Sequence, residues 1–273
     1  MGQRPNPAEV YEDFVVREQF RPFTEELLAR AAPQPGERVL DLACATGGVA
    51  RLVAPHVAPG GGVTGLDVSP AMLAVARARA AAEGVAVTWC CGDAVALPYA
   101  DGAFDLAFCQ QGLQFFPDKP AALRELRRAL APGGRALLST WAPLDHSPVV
   151  AAFNHAVERH LGVAPLATPF SLTDAGAVRA LLAGAGFADV AVAPVELTLR
   201  YPDLGEFVRR YLPAVAAIAP ALAALPPAAL AAAARRIEVE LTLQVGPYLD
   251  GDGLRNPRRT HVAVARCPGL PPR

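Results

Sequence analysis

Three aspartates and a pair of glutamines hold the residue types here that could do chemistry. Asp41 closes the apolar run Val39-Leu40, and Asp67 closes Val63 to Leu66. Asp93 sits in Gly92-Asp93-Ala94 after Val85 to Cys91, and Gln110 and Gln111 follow Phe104 to Cys109. Asp41 precedes the small-residue turn Ala43-Cys44-Ala45-Thr46-Gly47, which runs into an expected helix from Val49 to about Val57. Such a turn gathers backbone N–H groups and the positive end of a helix beside one ligand. A carboxylate at Asp41 repels phosphate, and there is no Gly-Lys-Ser/Thr triplet, so neither a P-loop nor a dinucleotide pyrophosphate fits. A ligand carrying a positive group such as an ammonium does. The plainer alternative is that Asp41 only caps the turn or helix.

Asp67 ends a strand, where a carboxylate can accept both hydroxyls of a ribose, and Asp93 follows one, where a carboxylate can accept from an adenine amino group. Gln110 and Gln111 offer amide donors and acceptors. One aspartate after a strand is most often a turn residue. Turn chemistry does not readily put acids at successive strand ends.

The elements that must position these residues follow from periodicity and punctuation. Glu9 to Phe20 reads as an amphipathic helix with Val10, Phe14 and Val15 on one side, and Pro22 restarts a second helix that ends before Pro33 and Gly36. Strands are expected at Val39–Leu42, Val63–Asp67, Val85–Cys91, Phe104–Cys109 and Arg135–Trp141. Between them lie helices, one started by Ser69-Pro70 and stopped by Gly84, another capped by Asp118. That alternation predicts a parallel sheet with helices on both faces, whose ligands bind beyond the carboxyl ends of the strands. After residue 141 the rhythm changes. Helices are expected at Val149–Leu161, Asp174–Ala185, Asp203–Leu212 and Ala228–Val245, with strands at Val190–Leu199 and His261–Arg266. The late helices suit a lid over the sheet edge or, alternatively, the interface of a homodimer.

Composition narrows the classes. The chain has 273 residues, 52% hydrophobic and 19% charged, enough apolar content for a sizeable core. Lys+Arg 25 against Asp+Glu 26 gives a net charge of -1 without a basic block, which argues against nucleic acid as the partner. Five cysteines without CxxC spacing indicate neither a zinc site nor a disulfide framework. Tyr211 to Ala234 is uncharged, but its prolines and its alanine content speak against a membrane span. Met1 to Glu12 is polar, without the apolar core of a secretory leader. A cytoplasmic location is the expectation.

Taken together, VLDLACATGG, VTGLDVSPAML, the GDA triplet, LPYADGAFDLAFCQQGLQFFPD and ALRELRRALAPGGRALLSTW resemble the class I S-adenosylmethionine-dependent methyltransferases. The likeness is to the small-molecule branch that includes the quinone-biosynthesis C-methyltransferases, and it covers roughly Tyr11 to Trp141. It implies an α/β, Rossmann-like, doubly wound sheet of seven mainly parallel strands within a single methyltransferase domain. Residues 1–36 would form an N-terminal helical cap, 37–141 the cofactor-binding core and 142–273 the substrate-side helices, lid and last two strands. S-adenosylmethionine would be the cofactor, its methionine part held by Asp41, Ala43, Ala45 and Gly47. Asp67 would take the ribose, with Val68 and Met72 around the adenine, Asp93 and Ala94 at its edge, and Gln110 closing the pocket. Tyr11 and Phe20 fall where related enzymes fold a helix over the cofactor. The family commonly has glycine at the positions of Ala43 and Ala45; if position 45 requires a positive φ, alanine costs about 1 kcal/mol there.

Methyl transfer from a sulfonium is an in-line displacement, so proximity, alignment and exclusion of water dominate. Should a base be needed, His146 is the candidate, against the reading of a surface-loop histidine. Gln111, Gln114, Phe115 and Trp141 are expected substrate walls, with Phe115 equally readable as core. The acceptor is expected to be small and partly apolar: quinone-like, phenolic or a natural product. A non-catalytic S-adenosylmethionine-binding regulator is the alternative, and a nicotinamide oxidoreductase is disfavoured by Asp41.

Overall fold

The computed structural model describes residues 6–269, so the first five residues of the stretch read for a leader lie outside it. In order the elements are α1 (Pro7–Val10), α2 (Arg21–Ala31), β1 (Arg38–Leu42), α3 (Gly48–Val57), β2 (Gly62–Asp67), α4 (Pro70–Glu83) and β3 (Thr88–Cys91). There follow β4 (Phe104–Gln110), α5 (Lys119–Ala129), β5 (Leu130–Trp141), α6 (Pro148–Leu161) and α7 (Ala175–Gly184). The chain continues with β6 (Ala188–Tyr201), α8 (Leu204–Ala216), α9 (Pro220–Ala223), α10 (Pro227–Gln244), β7 (Leu249–Asp250) and β8 (Gly253–Arg266). The sheet order is β3-β2-β1-β4-β5-β8-β6, with the two-residue β7 pairing β8. The expected seven strands are therefore present, and β7 is an addition. Pairings from β3 through β5 are parallel, and β8 runs antiparallel to β5.

Contacts divide the chain into two compact units. A sheet unit comprises Arg21–Ala142, Leu172–Val195 and Thr260–Arg273, and a helical unit comprises Met1–Phe20, Pro143–Ser171 and Glu196–Arg259. The expected cap 1–36 is thus divided after Phe20, and the expected block 142–273 contributes to both units.

In the sheet unit, alternate residues of each strand face opposite sides. Leu40, Leu42, Ala107, Cys109, Ala136 and Leu138 share one core with Leu123 and Leu126 of α5 and Val178 and Leu182 of α7. On β1, Asp41 alternates with Leu40 and Leu42 and so lies on the other face, that of α3. Ser69 caps α4 by accepting the Met72 N–H at 3.3 Å, and Asp118 caps α5 by accepting that of Ala121 at 2.8 Å. β5 starts five residues before the expected Arg135, because Leu130 pairs with Phe104 before a bulge restores the register at Leu106↔Arg135.

The helical unit has its own core, built around the rings of Phe14, Phe153, Tyr201, Phe207 and Tyr211 with α6, α8 and α10. Its N-terminal segment differs from the expected α-helix: Tyr11–Phe20 is a π-helix. That widened turn buries Glu12 and Gln19 as well as Phe14 and Val15. No helix among the described residues is long and apolar enough to cross a membrane.

Candidate functional site

β1 and β4 are neighbours although β2 and β3 intervene in sequence, so the strand order reverses between them. A crevice is expected at the carboxyl ends of strands on either side of such a reversal. Asp41 lies one residue from the end of β1 and Asp67 ends β2. The turn 43–47 leaves between them.

Both carboxylates are tied to that turn and the helix after it. Asp41 Oδ2 accepts the Ala50 N–H at 2.9 Å, within the first turn of α3. It therefore does cap the helix, the plainer of its two expected roles. Burial pushes its pKa up to about 7, against the helix N–H that favours the anion, and the Asp67 charge adds to the rise. Asp67 Oδ2 accepts from Ala45 N–H and Oδ1 from Ser69 N–H, each at 2.8 Å. Burial raises its pKa as well, opposed by these bonds. Each carboxylate oxygen has two lone pairs, so the Asp67 bonds leave acceptor capacity for ribose hydroxyls.

The shift at Asp41 carries a pH dependence. Its folded pKa lies above the ordinary carboxylate value, so the folded state holds a proton that the unfolded chain has lost. Stability is then highest below about pH 4 and falls as pH rises to about 7, by about 1.4 kcal/mol per pH unit for this one group. Urea midpoints of the wild type and Asp41→Asn across that window should differ in slope, the variant lacking this component. Parallel slopes would show that Asp41 is ionised throughout.

The turn itself is strained where the sequence departs from glycine. Ala43 has φ 57 and Ala45 φ 48, both left-handed, and Gly47 has φ 81. Position 45 therefore does need a positive φ. Ala45→Gly should stabilise the protein by about 1 kcal/mol, less the added freedom of the unfolded chain. Chemical denaturation measures it, and a destabilised variant would mean that the Ala45 methyl is needed for packing.

Trp89, which the sequence reading passed over, supports this turn. In the register Asp41↔Gly65↔Trp89 the three share a face of the sheet. A Cβ built on Gly47 would lie 2.2 Å from the indole and one on Gly65 2.5 Å, so the ring lies across both glycines.

The other expected residues distribute as follows. Val68, next to Asp67, is a large apolar side chain left 71% exposed, and Met72 is half-buried. Asp93 is exposed and its Oδ1 accepts the Val95 N–H at 3.1 Å, a local turn, while Ala94 is buried. Gln110 Oε1 accepts from the Thr24 hydroxyl at 2.8 Å. Gln111 has φ 53. Its amide donates to Thr260 Oγ1 at 3.0 Å and its Oε1 accepts from Gln114 at 3.0 Å. Thr24 and Thr260 come from distant segments, so no local signal marked them. Phe115 is exposed, but Trp141, expected as a substrate wall, is 4% exposed and packs edge-on to Phe23 at 5.7 Å. It is as buried as Gln111 and Gln114.

Tyr11 and His146 belong to the helical unit. Tyr11 packs edge-on against Phe20 at 6.3 Å. His146 Nε2 lies 3.1 Å from the Arg259 guanidinium, which can only donate, so the lone pair a base would use at that nitrogen accepts from arginine.

Asp41 and Asp67 thus stand at the carboxyl ends of adjacent parallel strands, one bonded to the start of α3 and the other to the turn before it. Residues 39–134 match the family described as a methyltransferase domain. The nocamycin O-methyltransferase of Saccharothrix syringae is 33% identical over 204 residues, 67% of this chain and 71% of that protein. The chain belongs to the S-adenosylmethionine-dependent methyltransferase family. A 2-phytyl-1,4-naphtoquinone methyltransferase of Synechococcus elongatus is 44% identical over 45% of this chain, and the alignment spans only 53% of that relative's length. In fold, the chain is similar to phosphoethanolamine N-methyltransferase 2 of Haemonchus contortus in complex with S-adenosyl-L-methionine. The TM-score is 0.59 at 23% identity, covering 96% of this chain and 56% of that one.

Proposed function

We propose that this chain transfers a methyl group from S-adenosylmethionine to a small, partly apolar acceptor. The observation that carries the reading is the pair Asp41 and Asp67, both hydrogen-bonded to backbone of the turn and helix start between them. When bound, S-adenosylmethionine supplies an electrophilic methyl on a positively charged sulfur. The donor set suits it: two acids for a cationic nucleoside, a carboxylate with spare lone pairs for the ribose, and the exposed Val68 for an adenine face.

The remaining roles are assigned on that basis. Asp41, Ala43, Ala45 and Gly47 hold the methionine end, and Asp67 the ribose. Val68 and Met72 flank the base, Asp93 and Ala94 meet its edge, and Gln110 is oriented by Thr24. Gln111 and Gln114, fixed to each other and to Thr260, present amides to the acceptor, with Phe115 beside them. Methyl transfer needs orientation and a dry site more than proton transfer, which agrees with a His146 already engaged by Arg259. The relative named for a naphthoquinone supports a quinone-like acceptor, and the one named for nocamycin supports a natural product.

Calorimetry with S-adenosylmethionine and with NAD, followed by labelled-methyl transfer to quinones, phenols and enols, tests the reading. Uptake of the first ligand and a methylated product are expected. Binding of NAD alone would overturn it, and cofactor uptake without transfer to any acceptor would favour the non-catalytic alternative.

A further inference from the structure

The connection from β3 to β4 breaks the alternation of strand and helix, because residues 92–103 hold neither. The loop is nonetheless packed down. Ala94 and Leu97 are buried in the core shared with α5, and Tyr99 lies edge-on to Phe104 at 4.9 Å. Backbone groups in such a loop need partners that no ladder or helix supplies. Glu125 and Arg128, three residues apart on α5, supply them.

Arg128 Nη1 donates to the Tyr99 carbonyl at 2.7 Å and to Asp101 Oδ1 at 2.8 Å, and Nη2 donates to the Leu97 carbonyl at 3.1 Å. Nε and Nη2 also donate to the two oxygens of Glu125, each at 2.8 Å. Glu125 Oε2 in turn accepts the Leu97 N–H at 2.9 Å. All five N–H donors of the guanidinium are thus used, three on the loop and two on Glu125. The Gly102 N–H closes the loop onto the Arg128 carbonyl at 3.0 Å. All of these residues lie in the sheet unit.

What the fastening holds is the turn that carries Asp93. Upstream, the Gly92 N–H bonds the Asp67 carbonyl at 3.1 Å. Asp93 then accepts the Val95 N–H on Oδ1 at 3.1 Å and the Ala96 N–H on its carbonyl at 3.2 Å. The next residue is Leu97, gripped by Glu125 at its N–H and by Arg128 at its C=O. The turn is therefore pinned to β2 on one side and to α5 on the other. One carboxylate oxygen of Asp93 is spent on the turn, and the other is left to accept from an amino group. Asp93 itself is exposed, so burial does not fix it. On an unfastened loop the cost of ordering it would fall on ligand binding.

We propose that Arg128, together with Glu125, is a positioning residue for recognition of the adenine base. It orders the loop so that Asp93 meets the 6-amino group, and it acts through that loop rather than on the nucleoside. The inference rests on the methyltransferase reading and on Asp93 as the contact to the base edge.

The full chain is titrated calorimetrically with three ligands: S-adenosylhomocysteine, S-inosylhomocysteine and the 2′,3′-dideoxy analogue of the first. Inosine has a 6-oxo group where adenosine has the amino group. The wild type should bind the adenine form about tenfold or more tightly than the inosine form, because a hydrogen bond to a carboxylate is replaced by two opposed oxygens. Arg128→Met should reduce that ratio to about threefold or less, the donor of the bond no longer meeting an ordered acceptor. The ratio between hydroxylated and dideoxy ligand, set at Asp67, should stay at its wild-type value. A general loosening of the protein would lower both ratios. Arg128→Lys, a point charge in place of a planar fork, should give an intermediate adenine preference, and it serves if the methionine variant does not fold. A wild-type adenine preference in either variant, or a parallel fall in both ratios, would overturn the proposal. A wild type that binds S-adenosylhomocysteine but does not prefer it to the inosine form would overturn it too, by removing Asp93 from the base, and would leave the methyltransferase reading standing. A wild type that takes up no S-adenosylhomocysteine would remove that reading and the adenine role with it.

Discussion

Gly47→Ala should unfold at markedly lower urea and show no measurable affinity for S-adenosylmethionine. Two costs fall on the same methyl. At φ 81 any L side chain meets its own backbone, about 1–2 kcal/mol. The new Cβ would also stand 2.2 Å from Trp89 Cη2, inside contact distance, and a rigid indole wedged between Gly47 and Gly65 has little room to yield. Overpacking of that kind adds about 1–3 kcal/mol. The variant should therefore lose about 2–5 kcal/mol, with the turn displaced from the position in which Ala45 reaches Asp67. Adding Trp89→Leu should recover the steric part and leave the backbone part, a coupling that a double-mutant cycle isolates. A Gly47→Ala protein within about 0.5 kcal/mol of the wild type would mean that Trp89 does not lie against the turn in solution.

The second large effect belongs to Asp67→Ala. This one carboxylate holds the N–H of Ala45 and that of Ser69, so its removal strands two backbone donors and should cost about 2–4 kcal/mol of stability. On the ligand side, two lost ribose bonds predict a fall in cofactor affinity of about 1–3 kcal/mol. The two consequences are separable. A 2′,3′-dideoxy analogue of S-adenosylhomocysteine has no hydroxyls for Asp67, so the variant should bind it about as well as the wild type does. Equal losses for the analogue and the parent nucleoside would assign Asp67 to the turn alone and remove it from ribose binding.

Much of this site was legible in the chain because its signals are local. Apolar runs ending in acid place Asp41 and Asp67 at strand ends, and Ser69-Pro70 and Asp118 cap helices in the way their side chains dictate. The concern about alanine in the turn also rests on local backbone sterics, and Ala43 and Ala45 do take left-handed φ. Less was legible wherever a partner far away in sequence decides the outcome. β8 starts at Gly253, eight residues before the expected His261, and passes through Pro257, Asn256 and Arg258, residues that by themselves read as a polar loop. β8 lies beside β6 in the sheet and its first residues pair β7 at Leu249↔Leu254, neighbours that no local pattern announces. Trp141, expected as a wall at a strand end, has Phe23 packed edge-on against it, a neighbour 118 positions away in the chain. Trp89 carries no local signal of its role, because only the sheet register brings Gly65 beside it.

By itself, then, the sequence determined the alternation of strands and helices, the acids at the strand ends and the strained turn, since each depends on residues within a few positions of one another. The tertiary structure alone decided the division into interleaved units, the fastening of Gln111 to Thr260 and the burial of Arg258 with Asn256. Gln111 and Thr260 are 149 residues apart, and the buried Arg258 is bonded to Gln19, 239 residues away. The free energy of such contacts comes from burial and from polar groups excluded from water, and burial is a property of the folded assembly of segments that no single stretch possesses.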